Sequence, residues 1–305
     1  MKIIIVGQQK FGESVLKKFH EKTEHKIVAV LCEPDVISKS VDPIKEYAES
    51  HKIPLFQSQN YNDKKLLDKI KSLKSDLCVM AYVTSFLPKA FRDIPKNGTI
   101  CFHPSLLPLH RGPSAINWSI ILGSRVTGLT IFYPNDHLDK GDILLQKEVA
   151  INPEDTLGDV YFSKIFPLGV SACVEAVNLI ASGNATRIAQ DESKATYETW
   201  CKKSNAKINW NKSGLEIYNL IRGCNPQPGA WTYFQENEYF FYDTSFEVNE
   251  TLEHFPGQII SINKNEISIG VNGGVLRISR IKSKQGKLYV KDMDTKVFSV
   301  GSFFS

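Results

Sequence analysis

Runs of β-branched residues without polar alternation open the chain. Lys2 to Gly7 (KIIIVG) and Lys26 to Cys32 (KIVAVLC) are of this kind, the pattern of strands covered on both faces. Between them Val15, Leu16 and Phe19 recur at helical spacing. The alternation continues with a helix over Pro43 to His51, a short strand at Leu55 and Phe56, a helix over Asn62 to Leu73 and a buried strand over Asp76 to Ala81. Strands over Gly98 to His103 and Leu129 to Pro134 follow, with a helix from Ser114 to Leu122 between them. Alternating strands and helices predict an α/β fold with a Rossmann-like, mostly parallel sheet and right-handed crossovers.

After Ile151, the run Asn152, Pro153, Glu154, Asp155, Thr156 reads as a helix start before an apolar-periodic stretch to Ile180. Pro167 should kink or split that helix, and Gly183 with Asn184 should end it. From about Lys207 the texture changes. Leu215, Ile217, Leu220 and Ile221 predict one more helix, and Asn225 to Gly229 (NPQPG) breaks the chain. Short strand-like runs follow at Trp231 to Phe234, Tyr239 to Tyr242, Gln258 to Ile262, Glu266 to Val271 and Val275 to Ile281, the last two separated by a hairpin turn at Asn272, Gly273 and Gly274. The reading is a Rossmann-like domain over residues 1–203 and a small β-rich, barrel-like domain over 204–305, joined by a linker near Glu192 to Asn205.

Composition narrows the class. At roughly 150 residues per domain, 305 residues fit two domains. A hydrophobic fraction of 42% and a charged fraction of 23% exclude disordered, collagen-like and coiled-coil chains. The net charge of +4 is far from the basic excess that phosphate-driven DNA or RNA binding uses. No apolar run approaches the ~18 to 20 residues that span a bilayer, and Met1 to Gln8 reads as a strand rather than a signal segment. The six cysteines, Cys32, Cys78, Cys101, Cys173, Cys201 and Cys224, form no Cys-x-x-Cys pair and read as reduced thiols of a cytoplasmic protein. The seven histidines lie apart except His103 and His110, which gives no metal cluster.

Gly7 to Gly12 (GQQKFG) stands where a dinucleotide fold places its fingerprint. Its spacing is not Gly-x-Gly-x-x-Gly, and a turn glycine followed by a helix-packing glycine explains it better. The segment Cys101 to Gly112 (CFHPSLLPLHRG) differs in kind, because a buried strand delivers His103 at its carboxyl end and Pro104 stops the ladder. In an open α/β sheet that edge binds ligands. The segment Asn135 to Asp142 (NDHLDKGD) leaves the end of the strand over Leu129 to Pro134. If the two strands are parallel neighbours, Asp139 or Asp142 comes within reach of the imidazole, the minimal parts for acid/base chemistry at a carbonyl. The same residues also suit an ordinary β-turn.

Taken together, HPSLLPLHRG from His103 to Gly112, SAINW from Ser114 to Trp118, LDKGD from Leu138 to Asp142 and LLQ from Leu144 to Gln146 resemble the folate-dependent formyltransferase family. KINW from Lys207 to Trp210, and the stretch from Ile221 to Trp231, extend the similarity into the C-terminal part. Members of that family act on methionyl-tRNA, glycinamide ribonucleotide or sugar amines, or form the hydrolase domain of 10-formyltetrahydrofolate dehydrogenase. The resemblance implies a formyltransferase domain followed by an OB-like domain and 10-formyltetrahydrofolate as formyl donor; from the scattered histidines no metal is expected. It carries over His103 and Asp139 as catalytic residues. It implies a folate crevice lined by Phe86, Leu87, Pro88, Asp136, Gly141 and Asp142, with Ser105 and Arg111 in support.

One family position departs. Two residues before His103, where formyltransferases carry an Asn, stands Cys101. The dehydrogenase's hydrolase domain also lacks that Asn and shares the HPSLLP-x-HRG motif, and its formyl acceptor is water. Methionyl-tRNA formyltransferases carry a long basic loop after the Pro34–Asp35 turn, whereas here Glu33 to Pro43 is short with Lys39 its single cation. Residues 204–305 hold eleven Lys and Arg against ten Asp and Glu, a balance that offers a phosphate backbone little. The expectation is therefore a 10-formyltetrahydrofolate hydrolase-like enzyme. Without the dehydrogenase's further domains it would release formate or pass the group on. The alternatives are transfer to methionyl-tRNA or to a sugar-nucleotide amine, with tRNA disfavoured, and an inactive folate-binding protein. No membrane or DNA partner is expected.

Overall fold

The computed structural model describes residues 1–36, 40–249 and 254–305; the expectation for Lys39 lies outside them. The chain divides into two compact units. The first comprises residues 1–111, 128–149 and 164–197, the second 112–127, 150–163 and 198–305.

The chain runs β1 (Lys2–Gly7), α1 (Gln9–Lys22), β2 (Lys26–Cys32), α2 (Pro43–Ser50), β3 (Leu55–Gln57), α3 (Lys64–Ser72), β4 (Leu77–Ala81), α4 (Lys89–Arg92), β5 (Thr99–His103), α5 (Ala115–Ile121), β6 (Val126–Phe132) and β7 (Ile143–Ala150). The seven strands form one sheet in the order β3-β2-β1-β4-β5-β6-β7. β3, β2, β1, β4 and β5 pair in parallel. Their apolar runs are buried because both faces of the sheet are covered. Ile4, Val6, Cys78 and Met80 pack with Leu66, Ile70 and Phe91 of α3 and α4. Phe102, pointing the opposite way from its strand neighbours, packs on Phe11 of α1 with ring centroids 4.4 Å apart.

The first glycine-containing turn is built for packing. A Cβ on Gly7 would stand 2.6 Å from the Ala81 carbonyl oxygen, and one on Gly12 would stand 3.2 Å from the same atom. The amino end of α1 is occupied as well: the Asp42 carboxylate accepts from the Gln9 amide at 2.9 Å and from the Ile44 amide of α2 at 3.0 Å. One side chain thus neutralises the positive ends of two helices, in the place where a dinucleotide fold would seat its pyrophosphate.

Several features differ from expectation. β6 is antiparallel to β5, with Phe132 opposite Cys101 and Thr130 opposite His103. β7, an edge strand that the pattern did not single out, completes the sheet beside β6. The stretch Asp159–Ala181 is, against expectation, long and apolar enough to cross a membrane by length and composition. Here it divides into a π-helix over Asp159–Ile165 and α6 (Phe166–Ala181), with Pro167 just past the junction, where its missing N–H cannot continue the ladder. Gly169 of α6 leaves room for the Phe102 ring, which would lie 2.6 Å from a Cβ there. The segment expected to be a linker, Glu192 to Asn205, is hydrogen-bonded along its length: the Arg111 amide donates to the Thr196 carbonyl, Trp118 Nε1 to the Thr199 carbonyl, and the Cys201 amide to Ser114 Oγ.

In the second unit α7 (Gly214–Gly223) starts from a capping box between Ser213 and Glu216 and packs on α5. β8 (Ala230–Phe234), β9 (Asn237–Val248), β10 (Ile259–Ile262), β11 (Ile267–Val271), β12 (Gly274–Ser283) and β13 (Gly286–Tyr289) form an antiparallel sheet ordered β10-β11-β12-β9-β8, with β13 added on β12. The last residues join its two ends. Tyr233 of β8 and Ser305 exchange both backbone hydrogen bonds, while Ile259 of β10 bonds to Ser302 and Gly301. Phe304, 3% exposed, sits among Trp210, Phe234 and Phe241.

Candidate active site

His103 is the last residue of β5, and the strand's period of two puts it on the same face as Cys101. Beyond it the loop to Arg111 is stapled down by buried polar groups. The Ser105 hydroxyl donates to the Leu109 carbonyl at 2.6 Å. The Thr130 hydroxyl donates to the Ser105 carbonyl at 2.7 Å and accepts from the Leu107 amide at 3.1 Å. Gln146 of β7 donates to both the Leu107 carbonyl and Thr130 Oγ1, at 2.8 and 2.9 Å. The loop turns back at His110, which has φ 56°, and its carbonyl meets His103 Nε2 at 2.8 Å. A carbonyl only accepts, so Nε2 carries the proton of this bond. Nδ1 is the nitrogen left facing outward.

Nδ1 faces a carboxylate. Asp139 Oδ2 lies 3.6 Å from it, with the Asp139 side chain 16% exposed. The pair does not meet for the reason expected from sequence. Because β6 is antiparallel to β5, its end lies beside Cys101 rather than beside His103, and the segment 133–142 has to double back to carry Asp139 to the imidazole. Several groups hold it there. The Tyr133 amide donates to the Asp142 carbonyl at 2.8 Å, closing the base of the loop. A Cβ on residue 141 would stand 1.6 Å from the Tyr133 carbonyl oxygen, which makes glycine obligatory. Asp139 itself sits at φ 51°, a left-handed conformation that costs a non-glycine residue and that gathers at functional sites. At the other end, Arg92 donates to the Asn135 carbonyl and to the Asp136 carboxylate. Its guanidinium lies 5.4 Å from the Phe86 ring centroid.

The remaining residues singled out from sequence stand in different settings. Phe86 is 60% exposed, while the Leu87 side chain is buried in the core and Pro88 leads into α4. Ser105 is fully buried with its hydroxyl engaged. Asp136 is tied to Arg92, and the Asp142 carboxylate stands 4.0 Å from Arg187. Burial, and then the Asp139 carboxylate, push the Cys101 thiol well above its ordinary range. It stays protonated and offers a weak donor at most. Among the described residues no group of three or more His, Cys, Asp or Glu is placed to hold a metal.

Sequence reasoning missed Arg92, Gln190, Glu192 and Tyr197, and gave Arg111 only a supporting part. Arg111 is fully buried, hydrogen-bonded through Nε and both Nη to Gln190, Glu192 and the Tyr197 hydroxyl. Hydrogen bonds from Arg111, and then from Lys140, hold the Glu192 carboxyl down to about 2. Nothing local in the sequence marks these residues, since the partners of Arg111 lie far along the chain.

Comparison with known proteins gives this geometry a context. Residues 1–177 match the formyl transferase family and residues 201–294 the formyl transferase C-terminal domain. The chain is 39% identical over 302 residues to the cytosolic 10-formyltetrahydrofolate dehydrogenase of Xenopus tropicalis, a match that covers 94% of this chain but 33% of that enzyme. The chain thus spans a third of the length of such relatives. It is 36% identical over 298 residues to the methionyl-tRNA formyltransferase of Alkaliphilus oremlandii, covering 96% of this chain and 95% of that one. In fold it is similar to the N-formyltransferase of Helicobacter canadensis, with a TM-score of 0.68 at 17% identity over 94% of this chain and all of the other. The first of the two family matches contains both the loop that follows β5 and the loop that carries Asp139, and on that ground the chain belongs to the formyl transferase family.

Proposed function

We propose that this protein consumes 10-formyltetrahydrofolate and that its formyl acceptor is water, giving tetrahydrofolate and formate. The observation that carries the reading is the facing pair: His103 Nδ1 and Asp139 Oδ2 lie 3.6 Å apart, with Nε2 already engaged by the His110 carbonyl. Folate would lie along the backbone of Phe86, Leu87 and Pro88 and against the loop from Asp136 through Gly141 to Asp142. Ser105, with its hydroxyl engaged by Leu109, would hold the turn rather than touch the substrate. Asp139 takes a proton from water as oxygen attacks the formyl carbon. His103, as the imidazolium with its Nε2–H engaged by the His110 carbonyl, steadies the oxyanion through Nδ1–H and then gives that proton to N10 as the carbon–nitrogen bond breaks. The proton on Asp139 passes to Nδ1 and restores the imidazolium and the carboxylate, and the products leave as tetrahydrofolate and formic acid, which ionises in water. Two features support water over an amine acceptor: the identity to 10-formyltetrahydrofolate dehydrogenase, and Cys101, a protonated thiol with no amide to hold an incoming amine.

A second reading, transfer to methionyl-tRNA or another amine, is favoured by the near end-to-end match to a methionyl-tRNA formyltransferase. Incubating the protein with 10-formyltetrahydrofolate alone, and then with methionyl-tRNA or amino-sugar nucleotides, separates the two. Formate released without an acceptor supports hydrolysis, acceptor-dependent turnover supports transfer, and tight folate binding without turnover defeats both. Asp139→Ala should lower the rate by about 10² to 10⁴, the range for loss of a positioned base; a variant retaining most of its turnover removes Asp139 from the mechanism.

A further inference from the structure

A glutamine amide is chemically different at its two ends, and a free one flips between them. Gln190 is held at both. Its Oε1 accepts from Arg111 Nε at 3.1 Å and Nη2 at 2.7 Å. Its Nε2 donates to the main-chain carbonyls of Asp139 at 2.9 Å and Gly141 at 2.7 Å. A guanidinium only donates and a carbonyl only accepts, so one of the two flips satisfies every partner and the other satisfies none. Arg111 is itself fixed: it is fully buried, paired through two nitrogens with Glu192, and hydrogen-bonded to the Tyr197 hydroxyl. The carbonyls that Gln190 grips bracket the Asp-Lys-Gly turn on which Asp139 adopts φ 51°. A backbone in that region stays there only when its surroundings over-determine it.

We propose that Gln190, fixed in orientation by Arg111, is a positioning residue that holds the Asp139 carboxylate against His103. Gln190 reaches the carboxylate through the backbone that carries it. The chemical consequence rests on the reading of Asp139 as the base given above. The geometric claim does not.

Two variants of the full chain test it. Gln190→Glu keeps an oxygen for Arg111 but has no N–H for the two carbonyls, whereas Gln190→Leu removes both ends. Both should lower kcat for 10-formyltetrahydrofolate by about 10- to 100-fold with KM within about threefold of wild type, because a displaced base costs chemistry rather than binding. Independently of turnover, the ¹⁵N resonance of His103 Nδ1 at neutral pH should move in both variants towards its position in Asp139→Asn. If kcat stays within about twofold of wild type in a folded variant, the proposal is wrong. It is equally wrong if KM and thermal stability collapse together with kcat, or if the His103 resonance does not move. Should Gln190→Leu fail to fold, Gln190→Glu decides. A wild-type protein that leaves 10-formyltetrahydrofolate intact would defeat the proposed function alone, and the His103 resonance would still judge the placement of Asp139.

Discussion

Glu192 is half exposed, yet its carboxyl is held down to about 2 against an ordinary 4.5 by Arg111 and Lys140. Its folded-state value lies below its unfolded one, so the stability it lends is fully present above about 4.5 and drains away as pH falls through about 2. Exposure and salt screen the pair, so the effect is modest. Urea midpoints measured between pH 5 and pH 2 should fall more steeply for wild type than for Glu192→Gln; parallel curves would remove Glu192 from the acid response. At this scale local signatures pointed to His103, a proline that stops its strand, and to a turn rich in Asp, Lys and Gly that left Asp139 and Asp142 open; the family resemblance chose Asp139, which the structure brings to 3.6 Å from His103. Arg92, Arg111 and Gln190 have no such signature. A buried arginine is written with the same letter as a surface one, and what buries it is a partner distant in sequence, such as Glu192 for Arg111.

Among the elements, Asp42 links two helices that the pattern treats separately, capping α2 through the Ile44 amide and closing the amino end of α1 through the Gln9 amide. Losing one cap typically costs about 1 kcal/mol, so Asp42→Ala should cost about 2 kcal/mol in an unfolding titration, where a single-cap loss such as Asp63→Ala costs half as much. The parallel strands and their helices were legible because strands covered on both faces read as unbroken β-branched runs and amphipathic helices keep their spacing. The direction of β6 was not, since a period of two is the same read either way. β7 was missed because its letters, ILLQKEVA, do not alternate apolar with polar, and the polar residues in its middle suit a sheet edge. The expected grouping of His103 with Asp139 therefore came from a parallel pairing that does not exist, and a doubled-back loop supplies the proximity instead.

For the molecule as a whole, residues 112–127 and 150–163 belong to the same compact unit as residues 198–305. No periodicity announces an excursion of that kind. The turn at Asn272 to Gly274 and the strands around it were readable, but the role of residues 301–305 was not: they form no strand, yet their backbone bonds join Tyr233 of β8 to Ile259 of β10. Deleting residues 302–305 would remove the backbone partners of Tyr233 in β8, of the Ile259 amide in β10 and of the Gly257 carbonyl, and empty the place of Phe304. The truncated protein should melt at lower temperature and self-associate in sedimentation velocity, since unpaired edges recruit other chains; a monomer of unchanged stability would show the closure to be decorative. The same feature sets an order of events at the ribosome. Every strand from β8 to β13 is synthesised before its seam can be sewn, so the nascent unit waits with two adhesive borders until residue 305 has emerged. A translational pause just before that point would prolong the interval in which neighbouring polysomes can entangle.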